Sequence, residues 1–264
     1  MKKFFLFLFC LLIFAKESYS RILLPEDIYF HVYRNGTKIG FHKINFSLET
    51  NENELSKIRA NIEINFDVKF LGFSVYNYKH SNNEIWEIIP DELVSDVCKK
   101  CTNLRVLLYL DSVTNKNGSE FSCKIERNKK ESVNLLSAIG GQNSVPSFSH
   151  IYTFPTSYWN FQLVTREYNK KSLIINETNL TKRKIVFNSQ DCSKINFTIQ
   201  NLGKEKIYNN LLETDRYKLK GKESSGEEVN IDIWYDNKEN WVKMIFVKDG
   251  SEIEYFLDKY HEKR

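Results

Sequence analysis

The sequence predicts a mainly β protein, a curved antiparallel meander or half-barrel of roughly ten strands with one short helix covering or plugging its concave side. Three observations predict it. From Ile58 to Phe70, apolar Ile58, Ala60, Ile62, Ile64, Phe66, Val68 and Phe70 interleave with Arg59, Asn61, Glu63, Asn65, Asp67 and Lys69. Side chains on a pleated strand alternate faces, so this order gives one dry face and one wet face. Second, turn signals recur at Asn35-Gly36, Asn117-Gly118 and Asp249-Gly250, where a two-residue hairpin needs positive φ at both centres. Third, 14% of residues are aromatic, led by 19 Phe and 14 Tyr, a composition that suits sheets better than bundles.

The chain opens with Lys2 and Lys3, an apolar core from Phe4 to Ala15, then Ser18-Tyr19-Ser20, the pattern of a secretory signal over residues 1–20. The expected product is a single exported, periplasmic domain over 21–264. The apolar core is shorter than the roughly 20 residues of a membrane span, and no later stretch is long and apolar enough to be one. Cys10 follows the bulky Phe9 inside that core, which does not fit a lipidation site.

Ile28 to Tyr33 and Lys38 to Leu48 flank the first turn. Pairing position 34 with 37 sets Phe30 opposite Phe41 and Val32 opposite Ile39, with Tyr29, His31 and His42 on the other face. The apolar residues then change parity at Ile44, Phe46 and Leu48, which predicts a bulge near His42-Lys43. After the long strand, Leu71-Gly72 reverses the chain into Phe73 to Ile88. There Phe73 and Val75 are apolar at odd positions, and Tyr76, Tyr78, His80 and Trp86 take over at even ones. Such slips accompany strong twist and coiling.

Leu104 to Leu110 and Ser119 to Arg127 bracket the Asn117-Gly118 turn. Residues 129 to 155, rich in Ser, Asn and Gly, read as a long crossing loop. Thr156 or Ser157 then caps a short helix over 157–168 carrying Trp159 and Leu163 on one face. Strands resume at 184–187, 195–200, 215–220 and 229–235. In the last hairpin Phe246 pairs with Ile253, Met244 with Tyr255 and Val242 with Leu257, all on one side.

The chain has 38 Lys and Arg against 34 Asp and Glu. Removing the signal takes away three lysines and one glutamate, leaving 35 against 33. Near-balanced charge argues against a nucleic-acid partner. Four cysteines survive maturation, Cys98, Cys101, Cys123 and Cys192. In an exported chain they are disulfide candidates with three possible connectivities if all pair. Cys98 and Cys101 have CxxC spacing, but their flanks read as strand and turn, whereas redox use requires a helix N-terminus beside the first thiol.

Phe70-Leu71-Gly72-Phe73-Ser74-Val75-Tyr76-Asn77-Tyr78-Lys79-His80, Pro155-Thr156-Ser157-Tyr158-Trp159-Asn160 and Asp232-Ile233-Trp234-Tyr235-Asp236 with Trp241-Val242 together resemble an uncharacterised family of exported bacterial proteins. That resemblance implies a curved antiparallel sheet similar to the lipoprotein-carrier half-barrels of the Lol type, with no established activity. The Cys98/Cys101 pair and the long loop before Pro155 depart from the pattern.

Ser157, His80 and Asp232 are the residue types of a nucleophile, base and orienter. No Gly-x-Ser-x-Gly elbow surrounds Ser157, and a capping role suits it better. His31, His42 and His80 match no metal-ligand spacing and read as polar-face histidines beside tyrosines, so neither metal nor cofactor is expected. Tyr76, Tyr78, Trp86, Tyr158, Trp159, Asn160 and Trp234 are the candidate ligand-binding residues. Each serves equally as a core anchor. The sequon asparagines, Asn35, Asn45, Asn117, Asn176, Asn179 and Asn196, read as unoccupied. The leading expectation is therefore a binding module holding a lipid or other apolar molecule in its concave face. The alternatives are an envelope scaffold or interaction protein with a packed interior and, carrying least weight, a hydrolase.

Overall fold

The structure is a computed structural model that describes residues 24–50, 55–89, 104–130, 133–140, 143–148, 154–165, 181–223 and 226–263. The strands, in chain order, are β1 Ile28–Arg34, β2 Thr37–Glu49, β3 Lys57–Phe70, β4 Phe73–Ile89, β5 Leu104–Lys116, β6 Ser119–Lys130, β7 Val133–Gly140 and β8 Asn143–Phe148. A two-residue β9, Phe154–Pro155, and one helical turn, α1 Gln162–Thr165, follow. Then come β10 Thr181–Phe187, β11 Lys194–Ile207, β12 Leu212–Lys222, β13 Glu228–Asp236, β14 Trp241–Lys248, β15 Ser251–Leu257 and a 3-10 turn at Asp258–Lys263.

All fifteen strands belong to one open sheet in the order β8-β7-β6-β5-β4-β3-β2-β1-β15-β14-β13-β12-β11-β10-β9. The chain makes two meanders that meet where β1 pairs with β15, Phe30 opposite Leu257 and Val32 opposite Tyr255. Every pairing is antiparallel except the short β9–β10 contact. The predicted all-β antiparallel class holds, with more strands than expected: β7 and β8 lie in the stretch read as a crossing loop.

The sheet curls until its two halves touch. Cys123 on β6 is bonded to Cys192 in the β10–β11 loop, and the Ser112 hydroxyl of β5 donates to the Ser189 carbonyl of the same loop. Inside the curl lies the segment from Phe154 to Thr165, whose Phe154, Trp159, Leu163 and Val164 are buried. Its helix is one turn, capped by the Asn160 side chain, whose Oδ1 accepts from Gln162 N at 3.2 Å, and not by Thr156 or Ser157. Thr156 instead ties the segment to the β10–β11 loop, its hydroxyl accepting from Ser189 N at 3.1 Å.

One register correction moves a candidate residue. In the first hairpin Arg34 pairs with Thr37 and Tyr33 with Lys38, but the ladder shifts between Val32 and Tyr33, so Val32 pairs with Gly40 and Phe30 with His42. The bulge thus lies near Ile39, earlier than His42-Lys43, and turns His42 inward beside Phe30. Gly40 permits it: a Cβ there would lie 1.8 Å from the Asn65 carbonyl oxygen of β3, closer than any side chain tolerates. The last hairpin keeps its expected register at Phe246–Ile253 and Met244–Tyr255.

Candidate functional site

Strand β4 carries the centre of the interior. Its even positions face inward, and among Tyr78, His80 and Trp86 they include two polar residues, Asn82 and Glu84, that are also buried. The Glu84 carboxylate is fully enclosed. Trp86 Nε1 donates to its Oε2 at 2.8 Å, Trp159 Nε1 to the same oxygen at 2.9 Å, and Asn82 Nδ2 to Oε1 at 2.8 Å. Ser157 adds a further side-chain hydrogen bond. Burial pushes the Glu84 pKa up, and these donors pull it back. Two donors come from β4 and two from the enclosed segment, so this carboxylate fastens the segment to the sheet.

The aromatic rings around this hub pack against one another. Trp86 and Trp159 meet edge to face at 5.5 Å, and Phe46 meets Trp159 at 5.0 Å. Across the interior the Tyr235 hydroxyl donates to the Tyr158 carbonyl at 2.6 Å. The fully buried Trp86, Trp159, Trp241, Tyr235 and Phe30 fill the described concave side with side chains.

His42 and His80, on alternate strands, are both buried. His80 Nδ1 is 2.8 Å from the Thr114 hydroxyl. His42 makes no hydrogen bond among the described residues and is boxed by Phe30, Trp241 and Tyr255, each meeting it edge to face at 5.3 to 6.4 Å. Burial lowers both imidazoles, His42 to about 3, helped by the nearby His80, and His80 to about 4. Both are neutral at physiological pH.

The remaining candidates disperse. His31 faces outward and bonds Asp258 Oδ1 through Nε2 at 2.7 Å, so the three histidines do not converge. Asp232 lies on the outer face, paired with Arg216 at 3.0 Å and Lys218 at 3.6 Å. Ser157 bonds Glu84 and His80 bonds Thr114, so the three residue types of a hydrolytic triad serve separate structures. Trp234 shares that outer face but is buried, covered by Arg216 and Lys243, whose charged groups lie 5.0 and 5.6 Å from its ring centre. Tyr78, Trp86, Trp159 and Asn160 are buried in the interior as packed residues, with Tyr158 partly buried against them and Tyr76 half-buried. Cys98 and Cys101 lie outside the described residues. No group of three or more metal-ligating side chains occurs among those described, and no described helix is long and apolar enough to cross a membrane.

Two features stand at opposite rims. At one, the β3–β4 turn projects Phe70, Leu71, Phe73 and Val75, exposed by 65, 82, 76 and 55%. Leu71 and Gly72 adopt φ of 50° and 84°, which makes the tight turn that carries them. At the other, a small cleft is lined by Pro25, Ile28, Arg105, Trp159, Lys238, Glu239, Asn240 and Trp241 and encloses about 20 Å³, room for about one water. The sequence reading missed both, along with Glu84. The phase of β4 carried a signal for Glu84, because positions 82 and 84 share the parity of Tyr78, His80 and Trp86.

No curated protein and no solved structure matches the chain. One family matches residues 30–258, nearly the whole described sheet. The chain belongs to that family, described as a domain of unknown function, DUF6134.

Proposed function

We propose that this is an exported interaction protein with a packed interior, which attaches to a lipid bilayer through the β3–β4 tip. The exposed apolar tip carries this reading. Phe70, Leu71, Phe73 and Val75 lie within six residues and keep half to four-fifths of their surface in water, whereas exposed apolar side chains are ordinarily scattered. At about 1.5–3 kcal/mol per side chain fully removed from water, their transfer is worth about 4–8 kcal/mol, the scale of reversible attachment once the cost of association is met. A convex tip suits entry between headgroups, with Lys69 and the half-buried Tyr76 at its base as interfacial residues.

The interior supports this reading over the carrier one. Large side chains pack where an acyl chain would lie, and the enclosed segment is held by a hydrogen-bonded carboxylate.

The test is flotation of the mature chain, residues 21–264, with vesicles of phosphatidylglycerol and phosphatidylethanolamine. Cofloating wild type and non-floating, folded Phe70→Asp/Phe73→Asp protein is the expected pair of results. Equal flotation of both, or none by either, removes the bilayer proposal. Wild type that never floats but crosslinks reproducibly to one envelope protein through residue 71 replaces the bilayer with a protein partner.

A further inference from the structure

Arg105, the second residue of β5, reaches the rim cleft opposite the tip. Its guanidinium lies 5.5 Å from the centre of the Trp159 ring, which occupies one π-face and none of its N–H donors. Among the described residues its side chain makes no hydrogen bond and no ion pair, although its surroundings are dry enough to depress its pKa. The Glu239 carboxylate acts on it through space from beyond ion-pair range. Lys238, on the same turn, is engaged with Glu26 at 3.5 Å.

Glu239 is held where it is. The Asp236 carboxylate accepts from Lys238 N at 2.9 Å, Asn240 N at 2.8 Å and Asn240 Nδ2 at 3.1 Å, and Glu239 takes a left-handed φ of 67°. The turn therefore keeps this carboxylate at the exposed mouth, while Ile28, Trp159 and Trp241 form a buried apolar floor. A half-buried guanidinium whose donors bond nothing among the described residues, stacked on an indole at the edge of a cleft, is suited to receive planar or tetrahedral oxygen anions.

We propose that this cleft binds the oxyanion end-group of a small ligand, a carboxylate or a phosphate monoester, on Arg105, with Glu239 as the internal anion it must outcompete. The enclosed space, about 20 Å³, admits about one oxygen of the end-group, so its remaining atoms and the rest of the ligand lie outside, along Pro25 and Asn240. This inference is independent of the bilayer reading, because it concerns the opposite rim.

The test titrates sodium acetate and sodium methyl phosphate into the mature chain at constant ionic strength with chloride as balance, read by calorimetry and tryptophan fluorescence. Saturable binding of either probe is expected, of acetate alone for a carboxylate ligand and of methyl phosphate alone for a phosphate ligand. Arg105→Gln is expected to weaken it by about tenfold or more, and Glu239→Gln to tighten it by about threefold. The second variant changes an exposed mouth residue, so it reports even where Arg105→Gln fails to fold. A response that never saturates, or an affinity that Glu239→Gln leaves unchanged or weakens, overturns the proposal.

Discussion

Breaking the Cys123–Cys192 bond should cost this protein more stability than almost any single side-chain change. The two cysteines are 69 residues apart in sequence, and cross-linking them removes a loop of that size from the unfolded ensemble. Chain-closure entropy of 2.1 + 1.5R ln n cal/mol/K, with n near 69, gives about 4.4 kcal/mol at 25 °C. The cross-link also joins β6 to the β10–β11 loop, two places that β-ladder hydrogen bonds connect only the long way round the sheet. The assay is urea unfolding of residues 21–264, oxidised and with reductant, beside the Cys123→Ala/Cys192→Ala variant. With a slope near 3 kcal/mol/M for a chain of this size, the midpoint should fall by about 1.5 M. A fall below about 0.3 M, roughly 1 kcal/mol, would refute the reasoning, as would failure to recover the linked Cys123–Cys192 peptide from oxidised protein.

Acid should weaken the fold through His42 and His80. Their folded pKa values, about 3 and about 4, lie below the ordinary 6.5, so the unfolded chain binds protons that the folded one refuses, and stability present above pH 6.5 is lost as pH falls toward 4. At pH 5 the loss is about 2 kcal/mol for each histidine. Urea midpoints at pH 7, 6 and 5 measure it, and His42→Phe, which keeps a ring in the aromatic box, should halve the slope; a flat profile contradicts the burial argument. Glu84→Gln turns an amide N–H toward a tryptophan or asparagine donor, costing about 1–3 kcal/mol. Calorimetry should show Tm lower by about 2–4 °C per kcal/mol for a chain of this length, and an unchanged Tm would mean that Glu84 does not fasten the enclosed segment.

Local signals were legible because local physics sets them. Asn35, Asn117 and Asp249 have φ of 46°, 51° and 50°, each followed by a left-handed glycine, so the three hairpin turns could be placed from their residue types. The face of β3 was equally readable: Ile58, Ala60 and Ile62 are buried as their alternation requires. What failed depended on partners distant in sequence. The bulge near Ile39 is decided by how closely β3 approaches Gly40, and no property of residues 38–43 alone expresses that distance. The pairing of β1 with β15 joins residues more than two hundred positions apart, and that pairing gives one continuous sheet in place of two. For the site residues, type identified the interior tyrosines and tryptophans, but outward Asp232 and Trp234 share the parity opposite to Ile231, Ile233 and Tyr235. Strand parity should have separated them.

The curl places chemistry at the rims and leaves the centre to structure. A sheet this long with exposed ends would offer unpaired edges and an open apolar trough, both aggregation hazards. Here the disulfide draws β6 to the β10–β11 loop, and the chain between the meanders enters the trough, its Trp159 and Ser157 bonded to Glu84. A buried carboxylate is a costly fastener compared with another leucine, but it is directional: only a segment presenting an indole N–H and a hydroxyl at the right positions satisfies it. That selectivity fixes which residues occupy the trough, and with them the position of Trp159, on which Arg105 stacks at the cleft. The interior hub thus sets the geometry of one rim. The β3–β4 tip, built from a two-residue turn on two long strands, needs nothing from that hub, so loss of the Glu84 bonds should disturb the cleft while leaving the tip intact.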